Sequence, residues 1–340
     1  MVASVTASAG LDPTVVIGGK LNSLGSNAKL GQSEFLVAEA DESDGSFLKL
    51  SPTIAIVTNI DAEHLDYYKG IENIKRTFLN FINKIPFYGI AILCADNENI
   101  REILPLVEKR YMTYSIQDRA DITAVDIETH NGKSDFRVVY KGIDMGKFCL
   151  PLPGIHNISN SLASIGVAIE LDLNIDDVRS ALSNFSGVER RFQIVGRIGK
   201  DILVVDDYGH HPTEIKATLS AAKEGWKRRT IVIFQPHRYT RTRDLLNEFR
   251  DSFDNADVLI LTDIYPAGEK PIEDVTGEKL YNTIRTHGHQ DVRFLPDKAA
   301  IPGYIHNILM PGDMVITLGA GDIWKTGRKI ISDYKDAKTT

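Results

Sequence analysis

The stretch DILVVDDYGHHPTEIKATLSAAKEGWKRRTIVIF, residues Asp201–Phe234, decides the fold of the second half of the chain. It begins with an apolar run of strand length, ILVVD, and ends with another, TIVIF, while the residues from Thr213 to Glu224 between them have helical spacing. Short apolar runs of this kind indicate buried strands, and two of them joined by a helix predict a parallel pair. The stretch therefore predicts an α/β fold in which strands and helices alternate.

The alternation continues toward the end of the chain. After Phe234 the sequence predicts a helix at 242–253, the strand DVLILT at 257–262, a helix at 276–287, a short strand at 291–294, the strand MVITL at 314–318 and a final helix. This order predicts a doubly wound domain with a parallel sheet.

The first half of the chain has its own β–α alternation. Strands are predicted at 14–17, Glu34–Glu39 (EFLVAE), Thr53–Asn59 (TIAIVTN) and 89–95, and helices at 1–11, 71–84, 156–171 and 175–185. Because EFLVAE and TIAIVTN are short and apolar, they are interpreted as buried parallel strands. Between residues 121 and 149, strand-like segments flank the turn signal Asn131-Gly132 and predict antiparallel strands.

Length and glycine content divide the chain into two predicted domains. A chain of 340 residues is long enough for about two domains. The segment Ser186–Gly199 contains three glycines that interrupt any regular pattern, so it is the expected boundary. The predicted domains are residues 1–188 and 189–340.

The predicted first helix has a C-terminal signal but no N-terminal one. Gly10 suits a C-terminal cap, whereas the helix begins at Met1 without a capping residue or an acid in its first turn. Such a helix looks cut at its beginning, so upstream sequence is expected to be missing.

Composition excludes several classes of protein. The 46 acidic and 39 basic residues give a formal net charge of -7, which argues against a general nucleic-acid-binding surface. The two cysteines, Cys94 and Cys149, form no disulfide or zinc pattern. No stretch reaches the roughly 18 apolar residues of a membrane helix, and the first basic residue, Lys20, comes too late for a secretory signal. A cytoplasmic protein without membrane insertion is expected.

Carboxylates and a histidine follow two predicted strands of the first half. Glu39 ends EFLVAE, and His64 lies in NIDAEHLDYY, directly after TIAIVTN. Ligands gather at the carboxyl ends of strands in open α/β sheets, and oxygen ligands with one imidazole can hold a divalent ion beside a nucleotide phosphate. Each acid alone is better explained as a helix cap or a turn residue. Their grouping at two neighbouring strand ends nevertheless favours Glu39 and His64 as metal ligands.

A later segment, GIHNISNSLAS, places Asn157 and Asn160 at the start of a predicted helix. Side-chain amides and free backbone N–H groups at such a position can meet a nucleotide ring or a phosphate. The alternative is that Asn157 is a simple N-cap.

Polar residues also follow the first strand of the second half, ILVVD. Asp207, Tyr208, His210 and His211 precede a helix that is expected to start near Pro212 or Thr213. An Asp/His pair of this kind can bind a metal or act as a general base.

Arginines are concentrated in two short segments. FQPHRYTRTRD contains Arg238 and Arg241 beside His237, and Arg190 and Arg191 lie at the domain boundary. In a protein of net charge -7, such groups suggest sites for carboxylate or phosphate. Solvated charge on a helix explains Arg243 better.

Taken in order, these motifs resemble the Mur ligases of peptidoglycan synthesis, and among them the enzymes that add L-alanine to UDP-N-acetylmuramate. The motifs are AEADESDGSFL, VTNIDAEHLDYY, GIHNISNSLAS, GVERRFQ, VDDYGHHPTEI, FQPHRYTRTRDL, DIYPAGEKPI and GAGDI. The resemblance spans nearly the whole chain. It implies a central ATP-binding domain with a mostly parallel sheet and added antiparallel strands, followed by a Rossmann-like doubly wound domain.

The resemblance also implies that part of the family's protein is missing. Family members have an N-terminal UDP-binding domain and a glycine-rich phosphate loop, which would lie before Met1, and this chain contains no G-x-x-x-x-G-K-[ST] motif. The isolated chain is therefore expected to be an inactive fragment.

The implied reaction uses ATP and Mg²⁺. The muramyl carboxylate takes the γ-phosphoryl group of ATP, and the amine of L-alanine attacks the resulting acyl phosphate. UDP-N-acetylmuramate and L-alanine are the implied partners, with no nucleic acid and no membrane, and a homo-oligomer is left open. The implied setting is the cytoplasmic synthesis of cell-wall precursors, which cell shape and cell division require.

By motif match, the resemblance assigns roles to individual residues. Glu39 and His64 resemble magnesium ligands, Asn157 and Asn160 adenine contacts, Arg191 and Asp207 nucleotide contacts, and Tyr208, His210, Arg238 and Arg241 contacts to alanine and the muramyl group. Glu39, His64, His210, Arg238 and Arg241 form the predicted catalytic set. His210 is the candidate for removing the proton from the attacking amine.

Three other functions remain open at this point. The first is the related ligase that attaches a recycled peptide to the same nucleotide, and the second is a non-catalytic nucleotide-binding module. The third is a metal hydrolase built on His210 and His211, which explains neither the arginine motif nor the first half of the chain.

Overall fold

The computed structural model describes residues 1–21 and 26–336. The chain divides into two compact units, Met1–Gly187 and Val188–Thr340. The extents of the functional domains, 1–188 and 189–340, stay a prediction.

The first unit begins with a short helix and a small sheet. These elements are α1 (Val2–Ser8), β1 (Thr14–Leu21), β2 (Ser26–Lys29) and β3 (Leu36–Ala38). The strand order is β2-β1-β3, with β1 antiparallel to β2 and parallel to β3.

Gly10 ends the first helix, as predicted. Its φ of 83° is left-handed, and its N–H group donates to the carbonyl oxygen of Ala7, while Leu11 donates to Thr6. This pattern is a Schellman cap, which glycine forms without steric cost. The helix is therefore shorter than the predicted 1–11.

A second, six-stranded sheet forms the rest of this unit. Its strands are β4 (Ile54–Val57), β5 (Ile90–Cys94), β6 (Tyr111–Ser115), β7 (Ile122–His130), β8 (Lys133–Tyr140) and β9 (Ile143–Leu150). Its helices are α2 (Leu65–Tyr68), α3 (Ile71–Ile82), α4 (Glu98–Ile103), α5 (Ile155–Glu170) and α6 (Ile175–Ser183). The strands follow chain order, parallel from β4 to β7 and antiparallel from β7 to β9. The predicted antiparallel addition around Asn131-Gly132 is confirmed.

The interpretation of EFLVAE and TIAIVTN as neighbouring buried strands is wrong. EFLVAE forms β3, whose described pairing is with β1, whereas TIAIVTN forms β4 in the other sheet. Leu36 of β3 is 62% exposed, so this strand is not a buried one. Apolar composition alone did not show which strands pair with each other.

The second unit is a doubly wound sheet, as predicted. Its elements are β10 (Gln193–Ile198), β11 (Ile202–Asp207), α7 (Pro212–Trp226), β12 (Thr230–Phe234), α8 (Tyr239–Asp244), α9 (Leu246–Arg250), β13 (Val258–Leu261), α10 (Gly277–His287), β14 (Val292–Phe294), α11 (Ile301–Ile308), β15 (Met314–Leu318) and α12 (Trp324–Asp336). The order is β10-β11-β15-β12-β13-β14, and β10 alone among these described strands is antiparallel to its neighbour.

Three details of this unit differ from the sequence prediction. The boundary segment Ser186–Gly199 is not irregular throughout, because β10 crosses it and Gly196 lies at a shift in strand register. A glycine at such a bulge is compatible with a strand. The helix predicted at 242–253 is two short helices that meet at Leu245. Helix α11 was not predicted, although its Pro302 lies in the first helical turn, where proline is tolerated.

Alternating residues of the central strands fill two hydrophobic clusters. Leu203 and Val205 of β11 belong to one cluster, with α7 and α10, and Ile202 and Val204 belong to the other, with α11 and α12. This alternation is the two-residue period of a strand covered on both faces. Because β11, β15 and β12 are adjacent and parallel, the loops that follow them lie together at the carboxyl edge of the sheet, where ligands bind in this type of fold.

Candidate functional site

A group of two carboxylates and one imidazole lies in the first unit. Ligand atoms of Glu42, Glu63 and His64 are all within 4.8 Å of one another. The Nε2 atom of His64 is 3.5 Å from Oε1 of Glu42 and 3.8 Å from Oε2 of Glu63. The hydrogen bond with His64 lowers the pKa of Glu42, so this carboxylate is ionised at neutral pH. Two carboxylates with an imidazole fit a divalent cation.

Helix α2 holds this group in place. His64 begins α2 with a left-handed φ of 51°, and the hydroxyl of Tyr68 donates to the backbone oxygen of Glu42. Tyr68 lies one helical turn after His64, so α2 connects the imidazole to the loop that carries Glu42. Burial raises the pKa of Tyr68 to about 12, which keeps its hydroxyl protonated as a donor.

Glu39 lies outside this group. Its Oε2 atom accepts a hydrogen bond of 2.6 Å from the backbone N–H of Gly18. A side chain at Gly18 would place its Cβ 3.3 Å from that carboxylate, so glycine permits the close approach. The structure therefore gathers His64 with Glu42 and Glu63, and the role of Glu39 as a metal ligand stays a prediction. Both gathered acids belong to the motifs that contain Glu39 and His64, but spacing alone did not single them out.

Asn157 and Asn160 both lie in the first turns of α5. The N-cap of this helix is Gly154, and the side-chain amide of Asn157 donates to the backbone oxygen of Pro153 at 2.7 Å. The alternative that Asn157 is the N-cap is therefore wrong. Residues three apart share a helix face, so Asn157 and Asn160 can contact one ligand. Their contact with adenine stays a prediction.

Four aromatic rings form a row at the carboxyl edge of the second sheet. The ring centres of Tyr208 and His210 are 5.3 Å apart, those of His210 and His237 are 5.7 Å apart, and those of His237 and Tyr265 are 5.6 Å apart. Arg241 joins the row, with its Nη1 atom 3.4 Å from Nδ1 of His237. The loops after β11 and β12 thus bring together Tyr208, His210 and Arg241, three of the predicted substrate residues.

Both histidines of this row are neutral at pH 7. Burial lowers the pKa of His210 to about 4, and the neighbouring guanidinium of Arg241 acts in the same direction. Burial also lowers the pKa of His237 to about 4, with His210 and Arg241 contributing. The row therefore offers neutral imidazoles beside a permanent positive charge, which suits a ligand with a carboxylate.

Arg238 meets the row through its backbone, which has an unusual conformation. Its φ is 69°, and its N–H group donates to the carbonyl oxygen of Tyr265 at 2.9 Å. The side chain of Thr242 donates to the backbone oxygen of Arg238, so this residue begins α8. The left-handed backbone fixes where its side chain leaves the loop. Contact of Arg238 with substrate stays a prediction.

Glu214 was not among the predicted site residues, although it contacts two of them. Its Oε2 atom accepts from the backbone N–H of His210 at 2.9 Å and of His211 at 3.2 Å, and its Oε1 atom accepts from Arg191 at 3.0 Å. Burial disfavours its charge, but His210 and Arg191 outweigh burial and lower the pKa of Glu214 to about 2. A capping box was the available signal, because Glu214 follows the N-cap residue His211 by three positions.

Two further residues hold the loops in position. The side chain of Arg190 bonds to the carboxylate of Asp206 at 2.9 Å and to the carbonyl oxygen of Gly319 at 2.6 Å, and its Cζ atom lies 5.0 Å from the centre of the Tyr208 ring. Asp207 is buried, and its two oxygens accept from the N–H groups of Phe192 and Gly209.

Asp207 therefore ties the backbone at Phe192 to the backbone at Gly209, which directly follows Tyr208. Burial raises its pKa. Its role as a nucleotide contact stays a prediction, as does that of Arg191.

Two family models match the chain, one in each unit. The Mur ligase middle domain matches residues 14–168, and the Mur ligase, glutamate ligase domain matches residues 190–321. The chain belongs to the Mur ligase family. The resemblance noted in the sequence is thereby confirmed, and so is the α/β fold class of mostly parallel sheets.

Two relatives named as ligases of this family are similar over almost the whole chain. A UDP-N-acetylmuramate–L-alanine ligase from Geobacter sulfurreducens is 57% identical over 340 residues, which cover 99% of this chain and 73% of that protein. The enzyme of the same name from Geotalea uraniireducens is 56% identical over 335 residues, covering 98% of this chain and 73% of that protein.

Solved Mur ligase structures have the same fold. A UDP-N-acetylmuramate-alanine ligase from Thermotoga maritima superimposes with a TM-score of 0.82 at 26% identity, covering 99% of this chain and 72% of that one. A MurF ligase from the same organism, in complex with ADP, gives a TM-score of 0.74 at 16% identity and covers 99% of this chain and 77% of that one. The second likeness shows the fold alone.

Within the described parts of this Mur ligase chain, no helix is both long and apolar enough to cross a bilayer.

Proposed function

We propose that this chain carries the ATP-binding and amino-acid-binding parts of a ligase that joins L-alanine to the carboxylate of UDP-N-acetylmuramate. The observation that carries the proposal is the 57% identity to a relative of that name, over 99% of the chain. The row of rings with Arg241 beside it supports the proposal, because a permanent cation there lies next to the neutral imidazoles of His210 and His237. A small amino acid presents a carboxylate and an amine to such a site. The proposed setting is cytoplasmic peptidoglycan synthesis, where ATP and the nucleotide substrate are available.

The reaction is proposed to pass through an acyl phosphate. A free carboxylate is a poor acyl donor, and transfer of the γ-phosphoryl group of ATP gives it a leaving group. The amine then attacks the carbonyl carbon, a C–N bond forms, and phosphate leaves with the electron pair of the broken C–O bond. Arg241 is proposed to hold the alanine carboxylate by charge-assisted hydrogen bonds.

Magnesium is proposed as the cofactor, and bound magnesium neutralises negative charge on ATP phosphates. In the first unit, Glu42, Glu63 and His64 would hold it, since their ligand atoms lie within 4.8 Å of one another. Glu39 is proposed to help from its position against Gly18. Asn157 and Asn160 would contact adenine, and Arg191 the phosphates.

The test measures phosphate release by the full-length product of the gene that encodes this chain. Release is expected to require ATP, Mg²⁺, UDP-N-acetylmuramate and L-alanine together. Arg241→Gln is expected to raise the KM for alanine roughly tenfold to 100-fold. This factor corresponds to the binding free energy lost with one charge-assisted hydrogen bond. Arg243→Gln on the same helix is the matched control, because Arg243 is exposed and pairs with Asp244.

The peptide-adding ligase and the nucleotide-binding module each predict a different outcome in this assay. Release with a recycled cell-wall peptide but not with L-alanine would assign the chain to the peptide-adding ligases. No release with any amine would leave the nucleotide-binding module, and equal effects of the two arginine variants would remove Arg241 from the alanine site.

A further inference from the structure

One carboxylate of the second unit contacts two predicted site residues at once. Oε2 of Glu214 lies 3.3 Å from Nδ1 of His210, and Oε1 accepts from Arg191 at 3.0 Å. The same Oε2 atom accepts the backbone N–H groups of His210 and His211, which hold the carboxylate at the first turn of α7. Glu214 is thus fixed by the backbone and faces the imidazole from its own helix.

The surroundings of His210 decide which ring nitrogen carries the proton. Nδ1 lies 3.0 Å from the carbonyl oxygen of Tyr208 and 3.3 Å from the carboxylate of Glu214. Both neighbours are acceptors, so Nδ1 must be the donor in the neutral ring. Nε2 is then the nitrogen with the free lone pair, and no hydrogen bond to it is formed within residues 1–21 and 26–336.

We propose that Glu214 is a positioning residue for the ligation step, which fixes the His210 proton on Nδ1 and stabilises the imidazolium formed when Nε2 takes a proton from the attacking amine. The inference rests on the proposed function. In the step, the ammonium group of alanine gives one proton to Nε2, and its nitrogen keeps the lone pair. That nitrogen attacks the acyl carbon, and phosphate leaves with the C–O electron pair.

The charges around His210 explain why a carboxylate is needed there. Arg191 and Arg241 both disfavour a positive charge on the ring, as does burial, and His237 contacts the ring without a charge at pH 7. Tyr208 contributes its backbone oxygen. Among these groups, Glu214 is the anion that favours the protonated ring. Without it, the imidazolium faces two guanidinium groups in a buried place, and proton transfer from the amine becomes harder.

The same carboxylate gives Arg191 a fixed place. If Arg191 contacts the nucleotide, a change at Glu214 also affects nucleotide binding, so the two roles must be separated. The KM for ATP reports the Arg191 role. The rate with different amines reports the His210 role, because an amine that is already unprotonated does not need the proton transfer.

The experiment compares Glu214→Gln with the full-length wild-type protein, using L-alanine or hydroxylamine as the amine. Hydroxylamine is largely unprotonated at neutral pH, attacks acyl phosphates, and forms a hydroxamate with release of phosphate. Glutamine keeps an acceptor for the two backbone N–H groups but has no charge. The rate of alanine turnover is expected to fall about tenfold to 100-fold, which is less than the full rate enhancement that a general base contributes. Hydroxamate formation is expected to stay near the wild-type rate.

The matched control is Glu224→Gln on the same helix. Glu224 is exposed, and its described hydrogen bond is with Ser220, so this variant loses the same charge without touching His210. It is expected to leave both amines unaffected.

A second measurement needs no variant of Glu214 and no activity. The ¹⁵N signals of the His210 ring, assigned by comparison with His210→Gln, are expected to show a protonated Nδ1 and an unprotonated Nε2 at pH 7. A proton on Nε2 would overturn the proposal.

The kinetic experiment can overturn it as well. An equal loss of alanine and hydroxylamine turnover in Glu214→Gln would do so, and so would no loss with either amine. By contrast, absence of hydroxamate in the wild-type protein would overturn the proposed function and leave the proton position of His210 as measured.

Discussion

At the scale of single residues, the second unit holds two neutral imidazoles against fixed positive charge. His210 and His237 each have a pKa lowered to about 4, with burial as the main cause. Protonating either ring in the folded protein places a charge in a buried site beside a guanidinium, which lowers the stability of the fold. The arrangement is useful for catalysis only above the pH at which the rings charge.

This arrangement predicts how the stability of the second unit depends on pH. Between pH 4 and 6.5 the unfolded chain binds protons on both histidines that the folded chain does not bind. The free energy of unfolding is therefore expected to fall as pH decreases through this window, by up to about 1.4 kcal/mol per pH unit for each histidine. Urea unfolding between pH 4.5 and 6.5 measures the slope. His237→Gln should make it shallower, and an unchanged slope in that variant would contradict the assignment.

Arg190 connects three loops, and this predicts that lysine cannot replace it. Its planar guanidinium bonds to Asp206 and to the carbonyl oxygen of Gly319 while lying against the Tyr208 ring. Lysine keeps the charge but not this fork. Arg190→Lys is expected to lower the free energy of unfolding by about 1–3 kcal/mol. Arg197→Lys is the control, since Arg197 is 65% exposed in its pair with Asp201 and should change stability by less than about 1 kcal/mol. Equal losses in the two variants would argue against a special role for Arg190.

At the scale of elements, the sequence predicted the strands of the second unit well because their apolar runs are central and covered on both faces. TIVIF forms β12 with every residue buried, as the run indicates. Two segments were interpreted incorrectly. EFLVAE was interpreted as a neighbour of TIAIVTN although the two strands lie in different sheets, and the glycine at the register shift of β10 obscured that strand. A motif also cannot show which side chains meet in three dimensions. Glu214 and Arg191 are 23 positions apart, so their contact depends on the fold.

Two glycines in different elements are expected to respond oppositely to alanine. Gly303 lies in α11 with open space where a Cβ would be, so Gly303→Ala should raise the free energy of unfolding by about 0.5–1 kcal/mol. At Gly321, after β15, a Cβ would lie 2.4 Å from Oε1 of Gln235 and 2.8 Å from the Tyr265 ring. Gly321→Ala should therefore lower the free energy of unfolding by about 1–3 kcal/mol. Urea unfolding of both variants checks the signs, and destabilisation by both would mean that α11 packs differently.

At the scale of the whole molecule, the clusters that cover the second sheet consist only of residues between Phe192 and Tyr334. A unit with its own core is a candidate for independent folding. Both tryptophans of the chain, Trp226 and Trp324, lie in this unit, so tryptophan fluorescence reports its unfolding specifically. Trp226 stacks on Phe192 with ring centres 5.1 Å apart, which makes its emission sensitive to the packing of the core.

The segment 188–340, expressed alone, is accordingly expected to fold. Its β-sheet is complete within the segment, from β10 at one edge to β14 at the other, and helices cover both faces. Urea should unfold it in one cooperative transition of tryptophan fluorescence, with a slope of about 1–3 kcal/mol per molar urea. The complete chain, followed at the same wavelength, is the reference for the native emission. A gradual transition with strong binding of a hydrophobic dye would show that the packing of the core requires residues before Val188, since a compact state without fixed side-chain packing has those properties.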